Sequence, residues 1–283
     1  MNKNVQTFIG CDAEYAEAAI VLCGIPFDGT TSYRPGARFG PSAMRMESFG
    51  IETYSPYVDR DLQDISVFDA GDLELPFGDT KKALSMTEER VAAFLADGKT
   101  PFLLGGEHLI TLGAVRAVAQ KYPALHILHL DAHADLRDDY LGEQLSHACV
   151  MRRLWEVVGD GRIHQFGIRS GDRSEFAFAS KHTQMRRFDL AGFAETAAKL
   201  HNEPVYLTVD LDVLDPAGFC GTGTPEAGGV SFAALLSAVH SLSVCNIVGC
   251  DVVELSPHYD MSGASTAAAC KLTREILLQI KGV

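Results

Sequence analysis

Short apolar, β-branched runs recur along the chain at 19–23, 65–69, 101–104, 126–130, 163–168, 205–209 and 247–253. Several are separated by longer stretches with helical spacing. The segment 82–95 brings Leu84, Val91, Phe94 and Leu95 close to one face and ends at Gly98; a stripe of this kind predicts an amphipathic helix. Segments 109–122, 148–158, 232–242 and 267–280 read the same way, with Ser231 as the N-cap of 232–242. Apolar strands alternating with helices predict a parallel sheet covered on both faces, an α/β fold of three αβα layers. No internal repeat, low-complexity tract or linker interrupts the pattern, so residues 1–283 are expected to form a single domain. The Gly- and Pro-rich stretches 34–41, 71–78 and 218–229 are expected to be long loops on it.

Three of the strand-like runs end in side chains suited to binding metal. PFLLGGEH ends at His108, HILHLDAHAD carries Asp131, His133 and Asp135, and VYLTVDLDVLDP carries Asp210 and Asp212. Ligands of open parallel sheets sit beyond the carboxyl ends of the strands, so these ends are expected to share one rim. The D-x-H-x-D and D-x-D spacings are period two, which turns each group to one side of an extended chain. By itself, a D-x-D after a strand is more often a turn or a solvated pair than a ligand set. Four carboxylates at one rim are a different matter. They repel one another and are driven to protonate unless cations neutralise them. Two divalent ions carry the matching four charges. Oxygen-rich ligation with two imidazoles suits Mn²⁺, and Zn²⁺, Ni²⁺ or Fe²⁺ also fit. Two such ions about 3.5–4 Å apart share a water and lower its pKa, which predicts hydrolysis without naming the bond that breaks.

Composition narrows the partners. Twenty-four basic against 37 acidic residues give a net charge of −13, which disfavours nucleic acid and anionic membrane surfaces and is compatible with a cationic substrate. No apolar run approaches the roughly 20 residues that span a bilayer, and no export signal opens the chain. The seven cysteines are odd in number and dispersed, as expected of reduced thiols in a cytoplasmic protein, with Cys245, Cys250 and Cys270 packed in the core.

At the metal-type residues the chain resembles the ureohydrolase family of arginases and agmatinases. The matching stretches are GGEH (105–108), DAHAD (131–135), DLDVLDP (210–216), GTGTPEAGG (221–229) and GCDVVELSP (249–257). The likeness continues through SYRPGARFGPSAMR (32–45), ETYSPY (52–57) and FDAGDLELPFG (68–78), and the wider pattern is most similar to bacterial agmatinases. The resemblance implies an arginase/deacetylase-like αβα sandwich with a mostly parallel eight-stranded sheet, two Mn²⁺ per chain, and a homotrimer or homohexamer. It implies that Asp131 and Asp210 bridge the metals, that His108 and Asp135 complete one site, and that His133 and Asp212 complete the other. His147 falls where the family carries a proton-shuttling histidine, expected to titrate near neutrality. Glu254 would grip the substrate's guanidinium and Thr224 would contact it. Asp135 would relay the proton of a bridging hydroxide.

Arginases place an Asn- and Ser-containing stretch between the positions of Asp135 and His147, where this chain has LRDDYLGEQLS. The implied substrate is then agmatine, a guanidinium at one end and an ammonium at the other, yielding putrescine and urea. Asp172, Glu175 and Glu226 are acidic loop residues that could receive the ammonium, although each is by habit a solvated side chain. The alternatives are another guanidino compound, 4-guanidinobutyrate or arginine, and a catalytically idle, metal-bound regulator of polyamine metabolism. Two positions depart from the family pattern: Ala134 stands where Thr is common, and Cys220 where Pro precedes G-T-G-T. Neither is a ligand, but Cys220 alters the substrate loop.

Overall fold

The computed structural model describes residue 1 and residues 4–280. Its strands are β1 (Ile20–Ile25), β2 (Tyr54–Ser55), β3 (Arg60–Asp61), β4 (Val67–Asp72), β5 (Thr100–Gly105), β6 (His126–Leu130), β7 (Ile163–Ile168), β8 (Gln184–Arg187), β9 (Pro204–Asp210) and β10 (Asn246–Val253). The helices are α1 (Gly40–Glu47), α2 (Thr80–Ala96), α3 (Ile110–Lys121), α4 (Val150–Val158), α5 (Arg173–His182), α6 (Phe193–Lys199), α7 (Phe232–His240) and α8 (Ala264–Leu277). Eight strands form one sheet in the order β4–β1–β5–β10–β9–β6–β7–β8, and every neighbouring pair is parallel. The short strands β2 and β3 pair antiparallel on their own.

Alternation along each strand builds the two outer layers. Ile20 and Leu22 of β1, with Val205, Leu207 and Val209 of β9, pack with Met44 of α1, Phe193 of α6, Val239 of α7 and Ile276 of α8. Val21, Cys23 and Ile25 of β1 point the other way, toward Leu84 and Val91 of α2, Val115 of α3, Leu154 of α4 and Ala179 of α5. Each fully buried Val, Leu, Ile, Phe or Met among them contributes about 1.5–3 kcal/mol, so both faces hold the sheet. Cys245, Cys250 and Cys270 are buried in the first of these clusters, as expected.

The strand order places the chemistry. β5 and β6 follow one another in sequence, yet β10 and β9 are inserted between them. The four central strands therefore bring the segments after residues 105, 130, 210 and 253 to one carboxyl rim, beside the break in strand order where ligands of open α/β sheets bind.

Several elements lie where the hydrophobic pattern gave no strand or helix. β8 (Gln184, Met185, Arg186, Arg187) is largely exposed at the sheet edge, and charged residues on an edge strand discourage further pairing. α5 starts at a capping box, with Asp172 and Glu175 each accepting a backbone N–H from the other's end. α1 begins inside the Gly/Pro-rich stretch 34–41, helped by Pro41 in its first turn. α6 buries Phe193 and Ala197, too few positions for a clear stripe. Ser231 does cap α7, accepting the Ala234 N–H at 3.2 Å.

Candidate metal centre

β5 delivers His108 to the rim through two glycines. A Cβ on Gly106 would lie 1.8 Å from the Phe27 carbonyl oxygen, and one on Gly105 2.4 Å from Val253 Cγ1. The end of β5 therefore fits between its neighbours only without side chains. His108 is buried, and its Nε2 lies 2.9 Å from Thr208 Oγ1. Thr208 donates its own hydroxyl hydrogen to Asp251 at 2.6 Å, so its oxygen accepts from Nε2–H and the lone pair of His108 falls on Nδ1. Asp251 also accepts from Tyr206 and Thr111, at 2.7 and 2.9 Å, which gives this carboxylate the buried partners its apolar strand requires.

Nδ1 of His108 lies 3.1 Å from Asp131, 3.3 Å from Asp135 and 3.3 Å from Asp210, measured to carboxylate oxygens. Despite these neighbours it makes no hydrogen bond of acceptable geometry. A lone pair surrounded by acceptors is repulsive until a cation stands among them, and soft-to-hard N/O donors of this kind suit a divalent transition metal. The second imidazole, His133, holds Nδ1 at 3.0 Å from Asp212 and 3.5 Å from Asp131. Asp131 lies between both histidines, and Asp210 accepts the Asp212 N–H at 2.8 Å.

Electrostatics say the same in another way. Burial, followed by repulsion from Asp131, pushes Asp135 up to about 7. Burial and the charges of Asp212 and Asp131 raise Asp210 well above the carboxylate range. Asp131 is held well below it despite burial, because His129, His108 and His133 stand against it. Burial opposes charge on His108 and His133, yet their carboxylate partners raise both well above an ordinary histidine. Protons can quench such a cluster, and so can metal cations, which satisfy every donor at once. The six side chains fit a pair of divalent ions.

Two catalytic-type carboxylates occupy unusual backbone. Asp135 has φ 52° and Glu254 φ 66°, the left-handed region that side-chain-bearing residues adopt at a cost and that clusters at functional sites. Glu254 follows β10, is buried, and accepts the His108 N–H at 2.8 Å. Burial and the nearby Glu107 raise its carboxyl well above the ordinary range, so a cationic ligand would be welcome there.

A cavity of about 190 Å³ opens beside these residues, lined in part by His133, Asp135, Arg137, Tyr140, His147 and Thr224. Thr224 donates to Asp212 at 3.2 Å, which ties the 218–229 loop to the rim. His147 differs from its expected near-neutral titration: burial lowers it to about 4. Of the acids considered for a substrate ammonium, Asp172 caps α5 and pairs with Arg137 at 2.8 Å. Glu175 is buried and accepts from the Leu136 and Asp172 N–H groups. Both carboxylates are thus engaged structurally, although Glu175 lines the cavity. Glu226 meets Arg169 through its backbone carbonyl.

The D-x-H-x-D and D-x-D spacings leave out His129. It is buried and lies 2.7 Å from Asp131 through Nε2, while Gln165 donates to its Nδ1 at 3.2 Å and to the Ala134 carbonyl at 2.9 Å. His129, Asp131 and His133 alternate along the chain, so extending the period-two pattern backward by one step would have found it.

The arginase-family sequence profile matches residues 18–279. The agmatinase of Bacillus subtilis (strain 168) is 47% identical over 277 residues, covering 96% of each chain. The N(1)-aminopropylagmatine ureohydrolase of Thermococcus kodakarensis is 39% identical over 254 residues, covering 86% of this chain and 84% of its own. A Clostridium difficile crystal structure provisionally assigned as an agmatinase superposes with a TM-score of 0.93 at 48% identity, covering 94% of this chain and 98% of that one. Family membership implies a binuclear divalent-metal site, and the His/Asp cluster at this rim offers the donors for one. The chain belongs to the arginase family.

Proposed function

We propose that the chain hydrolyses agmatine to putrescine and urea, as an agmatinase-type ureohydrolase that forms a single domain over residues 1–283. The observation that carries this reading is the convergence of four carboxylates and two imidazoles at one rim beside Glu254, in a chain 47% identical to an agmatinase. In the proposed centre two Mn²⁺ would be held by Asp131 and Asp210 together with His108 and Asp135 for one ion and His133 and Asp212 for the other. When bound, the ion pair supplies a strong oxygen nucleophile near neutral pH.

The side chains account for the rest of the reaction. A guanidinium is planar, delocalised and always protonated, so its carbon resists attack unless it is held in position. Glu254 grips it as a charge-assisted pair and fixes its plane. Thr224 contacts it from the loop, through its backbone carbonyl while the hydroxyl serves Asp212. Asp135 relays the remaining proton of the attacking oxygen to the departing amine. His147, neutral at physiological pH, exchanges protons during the collapse.

The cavity wall favours agmatine over arginine. Its one cationic side chain among the described residues is Arg137, which is held by Asp172 at 2.8 Å and Glu175 at 3.6 Å. An α-carboxylate entering there finds no free positive partner, at a cost of about 1–3 kcal/mol or more. The same Arg137 is the feature that would favour 4-guanidinobutyrate, were it released from Asp172. The proposed setting is the cytoplasm, supported by seven cysteines without a disulfide; no helix among the described residues is long and apolar enough to cross a membrane. A homotrimer or homohexamer belongs to the same proposal, supported by the exposed Tyr33, Phe39, Met46 and Phe49, a cluster in sequence that self-association would cover.

Urea release after Mn²⁺ loading, measured side by side on agmatine, arginine and 4-guanidinobutyrate, tests the reading. Agmatine should lead arginine in kcat/KM by about a hundredfold, the equivalent of about 2.7 kcal/mol. A higher kcat/KM for either rival would replace agmatine as the substrate.

A further inference from the structure

Glu107, beside the ligand His108, points away from the metal-type cluster and binds a neighbouring loop. Its buried carboxylate accepts the Thr30 N–H at 3.0 Å, the Thr30 hydroxyl, and the Thr31 hydroxyl at 3.0 Å. Thr30 Oγ1 in turn accepts the backbone N–H of His147 at 3.1 Å. At the start of the same loop, Asp28 accepts the N–H of Gly36 from its far end at 2.9 Å and pairs with Arg38. The segment 28–36 is therefore a strap fastened at two points. Between the fasteners lies Ser32, exposed to solvent, with its Oγ 3.0 Å from His147 Nε2. The other ring nitrogen, Nδ1, is buried and has no hydrogen-bond partner.

We propose that Ser32 is the proton link between His147 and bulk water, a positioning residue that the strap from Glu107 through Thr30 and Thr31 holds in place. The inference rests on the ureohydrolase reaction proposed above. A half-buried imidazole whose inner nitrogen is sealed off passes protons repeatedly when its outer nitrogen is connected to water. A serine hydroxyl serves, because it donates its own proton while accepting another and ends each passage unchanged. One proton leaves by this route when the attacking water ionises, and one returns for the departing amine. The route thus carries no net proton per turnover. The arrangement also gives the Glu of GGEH a task that metal ligation does not explain: it sets both the backbone and the ring of His147 through one loop.

The test compares wild type, Ser32→Ala and Ser32→Thr, each Mn²⁺-loaded, for urea release from agmatine in a dilute non-nucleophilic buffer. Because Ser32 is exposed, all three should bind the same amount of metal and melt together. Ser32→Ala should lose about 10- to 100-fold in kcat with KM changed less than twofold. Added imidazole, a diffusible proton carrier, should restore kcat in Ser32→Ala and leave wild type unmoved. Ser32→Thr, which keeps the hydroxyl, should stay within a few-fold of wild type. An Ser32→Ala kcat equal to wild type overturns the proposal. So does a reduced kcat that neither imidazole nor the Thr variant restores, since that marks loss of loop structure. A wild type that releases urea from none of the guanidino compounds overturns the ureohydrolase reading itself, and this proposal with it.

Discussion

Histidines gather at both ends of the sheet, with β6 shared between the two groups, and the groups behave in opposite ways. At the carboxyl rim, His108 and His133 stand against Asp131, Asp135, Asp210 and Asp212, and their basicity is raised well above the ordinary range. At the amino rim, His126 opens β6 and His164 lies near the start of β7, with His126 Nδ1 3.1 Å from His164 Nε2. Burial and His126 lower His164 to about 4, and among the described residues this pair belongs to no metal-capable His/Asp group. Burial alone disfavours a charged imidazole at either rim. Carboxylates make the difference. The strand-end position supplies the place for a site, and the surrounding acids keep His108 and His133 basic there, whereas burial outweighs the single neighbour Asp131 at His129.

The sharpest way to break the comparison is to remove an acid from the carboxyl rim. Asp210→Ala deletes a carboxylate that neighbours both His108 and Asp212, and should cost most of the bound metal and at least about 10³-fold in activity. Metal content measured after gel filtration checks this, and full occupancy with full activity would mean that Asp210 is not a bridging ligand. His147→Asn leaves the acids intact. It should keep the metal and lower kcat by about 10²–10⁴-fold, and an unchanged kcat would make His147 a structural residue.

The amino rim carries the smallest effect, and its sign is fixed. An unfolded histidine titrates near 6.5, whereas folded His164 titrates at about 4. Between those values the unfolded chain binds the extra proton. This residue's contribution is therefore complete above pH 6.5 and is lost as pH falls toward 4. His164→Gln should remove about 1–3 kcal/mol of the pH dependence across that window, seen as converging denaturation midpoints for wild type and variant as the pH falls, with activity at pH 7 unchanged. Parallel midpoints across the window would remove His164 from the account.

The fold was most legible where strands are apolar on both faces. β6 and β7 span the runs 126–130 and 163–168 that the pattern marked, because Ile127, Leu128, Leu130, Ile163, Phe166 and Ile168 keep both runs mostly apolar although His129, His164 and Gln165 are buried among them. α1, α5, α6 and β8 were not legible, since they rest on capping, on a first-turn proline or on edge pairing rather than on a stripe. The rim residues could be read because their spacing is local: Asp131, His133 and Asp135 come together whatever the rest of the chain does. Thr208 on His108, Gln165 on His129 and Ser32 on His147 join residues 100, 36 and 115 positions apart, and only the folded sheet brings such pairs together. His147 itself was placed by resemblance, and its low basicity follows from burial that no motif records.

The central claim is that six side chains at the carboxyl rim hold two divalent ions that act together. Stepwise loading of metal-free protein with Mn²⁺, followed by elemental analysis and urea assay of each fraction, tests it most directly. The account predicts that activity reaches its plateau at two ions per chain and that Asp210→Ala fails to reach it. Full activity at one tightly bound ion per chain, with no gain from a second, would contradict it.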